Sequence, residues 1–521
     1  MSIGEWVARR AERRPTATAL IDADTGQVTS YAELDDAVRA MAAALHGLGV
    51  RRGDRVAVLM ENSPEFVHVL FGAANIGAVV VPINFRLAAP EIAFLLADSG
   101  AVALAVSDRF ASLASGALAA CSGRHGVRQV LTETLDGGLA GLPTATVGSL
   151  IAGADERRGP DPAIGEHDIS VIMYTSGTTG SPKGAMLTHS NMQWNAFNML
   201  TVGDGMSGST VTIAVAPMFH IGALGLSVLP VLYAGGTVVT VRAFDPGRTL
   251  ELIEKHSVTS QFMVPAMWSA LSQVPDFDSH DVSSVRWALC GGAPCPLPVI
   301  EFYQQRGWRF LEGFGMTETA PSVLLLDEEF VVSHAGSVGR PFMHCDVRIV
   351  DDEDHDVPVG SVGELIIRGP NVFAGYWGRP VETAAAMRGG WFHSGDLGRF
   401  DTQGFVTLVD RKKDMIISGG ENVYPIEVEQ ALFRHSSIAD VAVIGVPDPK
   451  WGETVLAVVV PATPGALDAN AVIAHARERI AHFKCPRRVE FIDELPRNAT
   501  GKILKRTLRE RYTGTGDSVH R

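Results

Sequence analysis

The sequence predicts an α/β protein: a large N-terminal domain of layered α/β sheets with a β-rich subdomain, then a small C-terminal α+β domain. Three observations lead there. Apolar strand-length runs alternate with helix-period segments through the first part of the chain, the pattern of a parallel sheet covered on both faces. From Gly360 the pattern turns to short strands punctuated by Gly and Asn. Near Asp410 a second break opens a βαβ-like segment, and 521 residues are more than one core organises. The expected limits are 1–410, 411–512 and a disordered tail over 513–521.

The elements follow in order. Ile3, Trp6, Val7 and Ala11 lie at helical spacing before Pro15. Ser30 and Glu33 have capping-box spacing, and Tyr31, Leu34, Val38, Ala42 and Leu45 then mark one helix face up to Gly47 and Gly49. Residues 55–60 read as a buried strand, Pro64 opens a helix, 78–83 is a β-branched run, 90–98 is helical and 101–106 is a strand. Between 205 and 241 only His220 and Tyr233 are ionisable, yet Pro217, Pro230 and the pair Gly235–Gly236 cut the stretch too short to span a bilayer. Strand, loop, helix and strand are expected there, and no transmembrane segment. In the C-terminal part 426–433 and 471–480 read as helices, 441–446 and 455–460 as strands.

Composition narrows the partners. With 44 Lys+Arg against 58 Asp+Glu, the net charge is −14, which argues against a general nucleic-acid binder. Residues 477–511 reverse the sign, with eleven Lys+Arg and five Asp+Glu, which suits a polyanionic small ligand. Cys121, Cys290, Cys295, Cys345 and Cys485 form neither a CxxC pair nor a disulfide framework, and the N-terminus has no apolar signal core, so a cytoplasmic setting is expected.

Residues 174–184, YTSGTTGSPKG, follow the apolar run 169–173 and precede a helix opening at Thr188. Hydroxyls and glycines in succession after a strand let backbone N–H groups wrap phosphate oxygens, with Lys183 adding charge. The spacing is not that of a Walker A loop. This loop resembles the phosphate-loop signature of the adenylate-forming superfamily of acyl-CoA synthetases, adenylation domains and luciferases. Further stretches match in order: APMFH (216–220), GGAP (291–294), EGFGMTET (312–319), WFHSGDLG (391–398), DRKKDMIISGGENVYP (410–425) and PRNATGK (496–502). The resemblance covers essentially the whole chain and is greatest to bacterial fatty-acyl-CoA synthetases, with aryl-CoA ligases next.

The resemblance implies that ATP converts a carboxylic acid to an acyl-adenylate, which CoA then takes as a thioester, with Mg²⁺ as the metal. By position, Thr175, Ser176, Gly177, Thr178, Thr179 and Gly180 hold the β,γ-phosphates beside Lys183. Gly292, Ala293, Pro294, Gly313, Phe314, Gly315 and Met316 hold the adenine. Thr317 contacts the α-phosphate and Glu318 the Mg²⁺. Asp396 and Arg411 hold the ribose hydroxyls, the carboxylate accepting and the guanidinium donating. Lys502 bridges the substrate carboxylate and the α-phosphate. The C-terminal domain is mobile in this family and pivots at the residue matching Lys413, after which Gly419 and Gly420 line a pantetheine tunnel. Trp451 and Arg86 match CoA-nucleotide contacts. His220 gates thiol tunnel and acyl pocket, whose walls are Phe219, Gly222, Gln261, Val264, Pro265, Gly291 and Met316. None of these walls is basic, so the acid is apolar beyond its carboxylate. A medium- to long-chain fatty acid is expected, with an aryl acid or a carrier-protein thiol as the alternatives. Peripheral membrane contact and oligomerisation are compatible with that reading. Departures from the family pattern are Glu312 for a common Gln, Phe314 for Tyr, His393–Ser394 for Arg-Thr, and Cys485 for an Arg of some relatives.

Overall fold

The computed structural model describes residues 1–135, 138–175, 182–411, 414–418, 421–465, 467–497 and 503–513. Two compact units emerge: Met1–Val347 with Ile367–Phe392, and Arg348–Ile366 with His393–Arg521. The α/β class and the layered sheets expected from sequence are both present.

The first unit is built on three sheets. Seven strands make the largest, in the order Thr144–Thr146, Gln129–Thr132, Ala103–Val106, Arg55–Leu59, Val79–Pro82, Ile169–Thr175 and Lys183–Thr188. Every neighbouring pair is parallel except the last. Pro64–Asn75 and Ala89–Ser99 are crossover helices, and with both faces covered the strands need no polar side; Val56, Ala57, Val58 and Leu59 are all fully buried. Val211–Ala214, Thr237–Thr240, Thr18–Asp22 and Val28–Ser30 form the second sheet. In the third, Ser260–Met263, Trp287–Gly291 and Arg309–Gly315 run parallel, and Ser322–Leu326 turns back antiparallel to the last of them.

Local signals place the helices. Ser30 caps Tyr31–Gly47 reciprocally: the Glu33 N–H donates to Ser30 Oγ at 3.3 Å and the Ser30 N–H to Glu33 Oε2 at 2.8 Å. Such a cap is worth about 1 kcal/mol. Leu34, Val38, Ala42 and Leu45 form the buried stripe. The 205–241 stretch resolves into Val211–Ala214, the helical pieces Ile221–Ala223 and Leu229–Ala234 joined by the π turn Leu224–Val228, and Thr237–Thr240. Among the described residues no helix is long and apolar enough to cross a membrane.

In the second unit, the Asp396–Phe400 part of the strand Trp391–Phe400 pairs antiparallel with Val406–Arg411. A separate sheet is centred on the long hairpin of Ile438–Asp448 and Gly452–Pro461. Pro425–Phe433 and Ala469–Arg477 cover one face over a core including Val428, Leu432, Val443, Val455 and Val472. Lys505–Thr513 contributes Leu508 to the opposite face, against Ile444 and Val458. Thr513, expected in the tail, closes this helix, and 514–521 lie outside the described residues.

Candidate active site

The phosphate-loop ends are held side by side. Thr175 ends one strand, Lys183 begins the next, and they are antiparallel partners. Ser176, Gly177, Thr178, Thr179 and Gly180 lie outside the described residues. The preceding Tyr174 donates its hydroxyl to Asp98 Oδ2 at 2.7 Å, and Arg379 and the Trp377 indole also bind Asp98, through its carboxylate and carbonyl. Burial and this carboxylate push the Tyr174 hydroxyl far above its ordinary pKa, so it stays a donor.

Thr317 and Glu318 stand on the short 3-10 turn Thr317–Thr319 that follows Arg309–Gly315. Glu318 is buried, and Tyr376 donates to its Oε1 at 2.9 Å. Gly315 has no alternative residue: a Cβ there would lie 1.4 Å from the Pro321 carbonyl oxygen. On the adjacent strand, Trp287–Gly291 delivers the loop Gly291–Gly292–Ala293–Pro294, whose Gly292 adopts φ +88° and whose last three residues are exposed. Glu312 Oε1 accepts the Cys295 N–H at 2.9 Å and pins the far end of this loop. Burial raises the Glu312 carboxyl to about 7, against the lowering effect of that hydrogen bond.

The acyl walls expected from sequence fall on four segments, 219–222, 261–265, Gly291 and Met316. Phe219 is buried and meets Phe85 edge-on at 5.0 Å, and Phe85 stacks on Phe110 at 4.7 Å. His220 is solvent-accessible, yet the atoms packed around its ring lower its pKa by desolvation, which favours neutral imidazole. Gln261 is fully buried and spends its amide on Ile213, accepting its N–H at 3.2 Å and donating to its carbonyl at 3.0 Å. Its neighbour Phe262 instead lies between two glycines. A Cβ on Gly222 would be 3.2 Å from Phe262 Cζ, and one on Gly291 would be 3.4 Å from Phe262 Cε2. Strand alternation was the signal for Phe262, since adjacent residues face opposite ways. Val264 caps the helix Pro265–Ser272, with its Cγ1 3.7 Å from the Cβ position of Gly292, and Pro265 and Met316 are half-buried.

In the second unit Asp396 and Arg411 are direct cross-strand partners, which the 391–400 and 406–411 pairing requires. Asp396 is buried; its N–H donates to Ser394 Oγ, which donates in turn to the Leu365 carbonyl. Glu364 accepts the Gly395 N–H and lies 3.5 Å from His393 Nδ1, so the His393–Ser394 pair is built into the strand that presents Asp396. Trp451 is flanked by Arg487 at 4.3 Å and Lys450 at 4.7 Å from its ring centroid. Buried Cys485 bonds carbonyls of its own segment, so Arg487 supplies the cation at this aromatic. Arg86 is exposed on the first unit, its N–H held by Asn84. Lys413, Gly419, Gly420 and Lys502 lie outside the described residues.

The family model of the AMP-binding enzymes matches residues 7–377, and that of the AMP-binding enzyme C-terminal domain matches 427–502. The chain belongs to the AMP-binding enzyme family. A feruloyl-CoA synthase of Amycolatopsis sp. is 46% identical over 98% of this chain and 99% of that protein. An indoleacetate–CoA ligase of Aromatoleum aromaticum is 38% identical, covering 98% of each, and a Mycobacterium tuberculosis long-chain-fatty-acid–CoA ligase is 36% identical, covering 99% of each. A solved Bacillus subtilis o-succinylbenzoate CoA synthetase with ATP and magnesium superposes with a TM-score of 0.84 at 31% identity, over 97% of this chain and 99% of that one. The activity that goes with this membership is acid:CoA ligation through an acyl-adenylate, and CoA ligases of the family use ATP, Mg²⁺ and CoA.

The described residues fit these groups. Mg²⁺ takes hard oxygen donors, and the buried Glu318 carboxylate, bound by the Tyr376 hydroxyl, is one that would hold it. The adenine would lie on the Gly292–Pro294 loop beside Phe314. MgATP, when bound, supplies an electrophilic α-phosphorus and pyrophosphate as the leaving group. What the chain's own residues would supply is orientation and charge, with Lys183 and Glu318 as the charged groups expected at the phosphates.

Proposed function

We propose that this enzyme activates an aromatic acid, of the arylpropenoic or arylacetic kind, rather than the medium- to long-chain fatty acid expected from sequence. The Phe262 ring between Gly222 and Gly291 carries this reading. At the wall of the acyl pocket it would fill width that a flexible alkyl tail needs and offer an apolar ring, and aromatic rings pair favourably in offset or edge-on geometry. The feruloyl-CoA and indoleacetate relatives support the same choice. The fatty-acid reading keeps the support of the long-chain ligase relative and of walls without a basic residue.

In the first step the carboxylate attacks the α-phosphorus in line. Thr317 and Lys502 stabilise charge on the phosphoryl oxygens, and Lys183 and Glu318 govern the departing phosphates. Rotation about Lys413 then withdraws Lys502 and brings Gly419 and Gly420 to the tunnel, where the CoA thiol attacks the acyl carbonyl and AMP leaves. Trp451 with Arg487 would meet the CoA nucleotide. His220, neutral by desolvation, stands between tunnel and acyl pocket and excludes water without carrying charge into it.

A competition experiment tests the substrate class. With equimolar 4-hydroxycinnamate, indoleacetate and dodecanoate, limiting CoA and MgATP, chromatography of the thioesters should give aryl-CoA in at least tenfold excess. Predominant dodecanoyl-CoA would return the enzyme to the fatty-acid reading.

A further inference from the structure

We propose that Tyr376 is a positioning residue for Glu318, coupling the carboxylate that would hold Mg²⁺ to the strand that leaves the phosphate loop. The proposal rests on the reading of this site as an MgATP site. The segment around Tyr376 grips Glu318 twice. The Phe373 N–H donates to the Glu318 carbonyl at 2.8 Å, and the Tyr376 hydroxyl to Glu318 Oε1 at 2.9 Å. Asn371 secures the same turn from the side, donating to the Thr319 and Ser322 carbonyls at 2.7 Å each.

The opposite side of Tyr376 faces the phosphate arm. Lys183 Nζ lies 5.3 Å from the Tyr376 ring centroid, and the Tyr376 backbone bridges to Ala185 two residues further along the same strand. Tyr376 is itself fixed: its N–H donates to Thr383 Oγ1 at 2.9 Å, and its ring meets Phe373 edge-on at 4.8 Å. One rigid phenol therefore touches both charged groups at the phosphates, receiving the lysine on its π face and binding the carboxylate through its hydroxyl. The aromatic face attracts the ammonium without a proton-bearing partner. The hydroxyl selects one orientation of the carboxylate, the function that outer partners of metal-binding carboxylates serve. A phenylalanine would keep the first contact and lose the second.

Tyr376→Phe separates the two. The Mg²⁺ concentration for half-maximal pyrophosphate release at saturating ATP and acid should rise about tenfold, with kcat at saturating Mg²⁺ much less affected. Calorimetry gives a readout apart from turnover: a magnesium-loaded, non-hydrolysable ATP analogue should bind about tenfold more weakly to the variant, while AMP in EDTA binds as to wild type. In a Glu318→Gln background the same change should do nothing to the analogue. Unchanged Mg²⁺ dependence, or equal weakening of AMP and of the magnesium-loaded analogue, would overturn the proposal. Wild-type enzyme with no Mg²⁺-dependent pyrophosphate release from any acid would instead sink the MgATP reading, a result visible before the variant is made.

Discussion

Glu312 shows how a single residue's environment makes a prediction that its identity does not. Burial holds its carboxyl at about 7 in the folded protein against 4.5 ordinarily. Between those values the folded state keeps a proton that the unfolded chain releases, so the residue costs stability as pH rises through that window and the cost is complete above pH 7. Glu312→Gln keeps an acceptor for the Cys295 N–H and removes the charge. Urea unfolding should find the variant more stable at pH 8, by up to about 3 kcal/mol, and equal to wild type below pH 4.5. A pH-independent difference would mean that the carboxyl titrates normally. Phe262 makes a second prediction at this scale. Phe262→Leu should cut kcat/KM for aryl acids about tenfold, mainly through KM, while dodecanoate improves; the ratio of the two kcat/KM values is the measurement. Glu312 was legible as a departure from the family pattern, because motifs report position. Phe262 was not, because the pocket list followed motif neighbours and missed the two-residue period that turns Gln261 toward Ile213.

At the scale of elements, local chemistry was the most legible. The Ser30–Glu33 spacing announced a helix start that the structure completes with both reciprocal bonds. Ser30→Ala should lower stability by about 1 kcal/mol without altering kcat/KM, read as a shift in the urea midpoint at constant slope. Buried strands such as 55–59 were equally legible, since a parallel sheet covered on both faces leaves an unbroken apolar run. The π turn at Leu224–Val228 was not. Its apolar residues carry no period that separates it from an α-helix, and it follows from packing: a Cβ on Gly225 would fall 2.6 Å from Pro321 Cδ. Tyr376 escaped sequence reasoning for a similar reason. Its segment reads as turn residues, and its partners, Glu318 and Lys183, are 58 and 193 positions away.

For the whole molecule, the order of motifs along the chain made the reaction class legible, because each motif serves a step shared by alkyl, aryl and carrier-loading members. The acid itself was not legible, since it depends on side-chain volume between segments distant in sequence. The two-step reading has its own test in Lys502→Ala. Adenylation should fall at least a hundredfold, while thioester formation from supplied acyl-adenylate and CoA persists near the wild-type rate. Equal loss in both half-reactions would contradict a lysine that acts in only one pose. The most direct measurement for the account as a whole is steady-state pyrophosphate release from MgATP, with and without CoA, on 4-hydroxycinnamate and on straight-chain acids of increasing length. CoA should accelerate release, with kcat/KM for the aryl acid at least tenfold above every alkyl acid; a maximum on a long alkyl acid would contradict the aryl assignment, and release indifferent to CoA would contradict CoA as the acceptor.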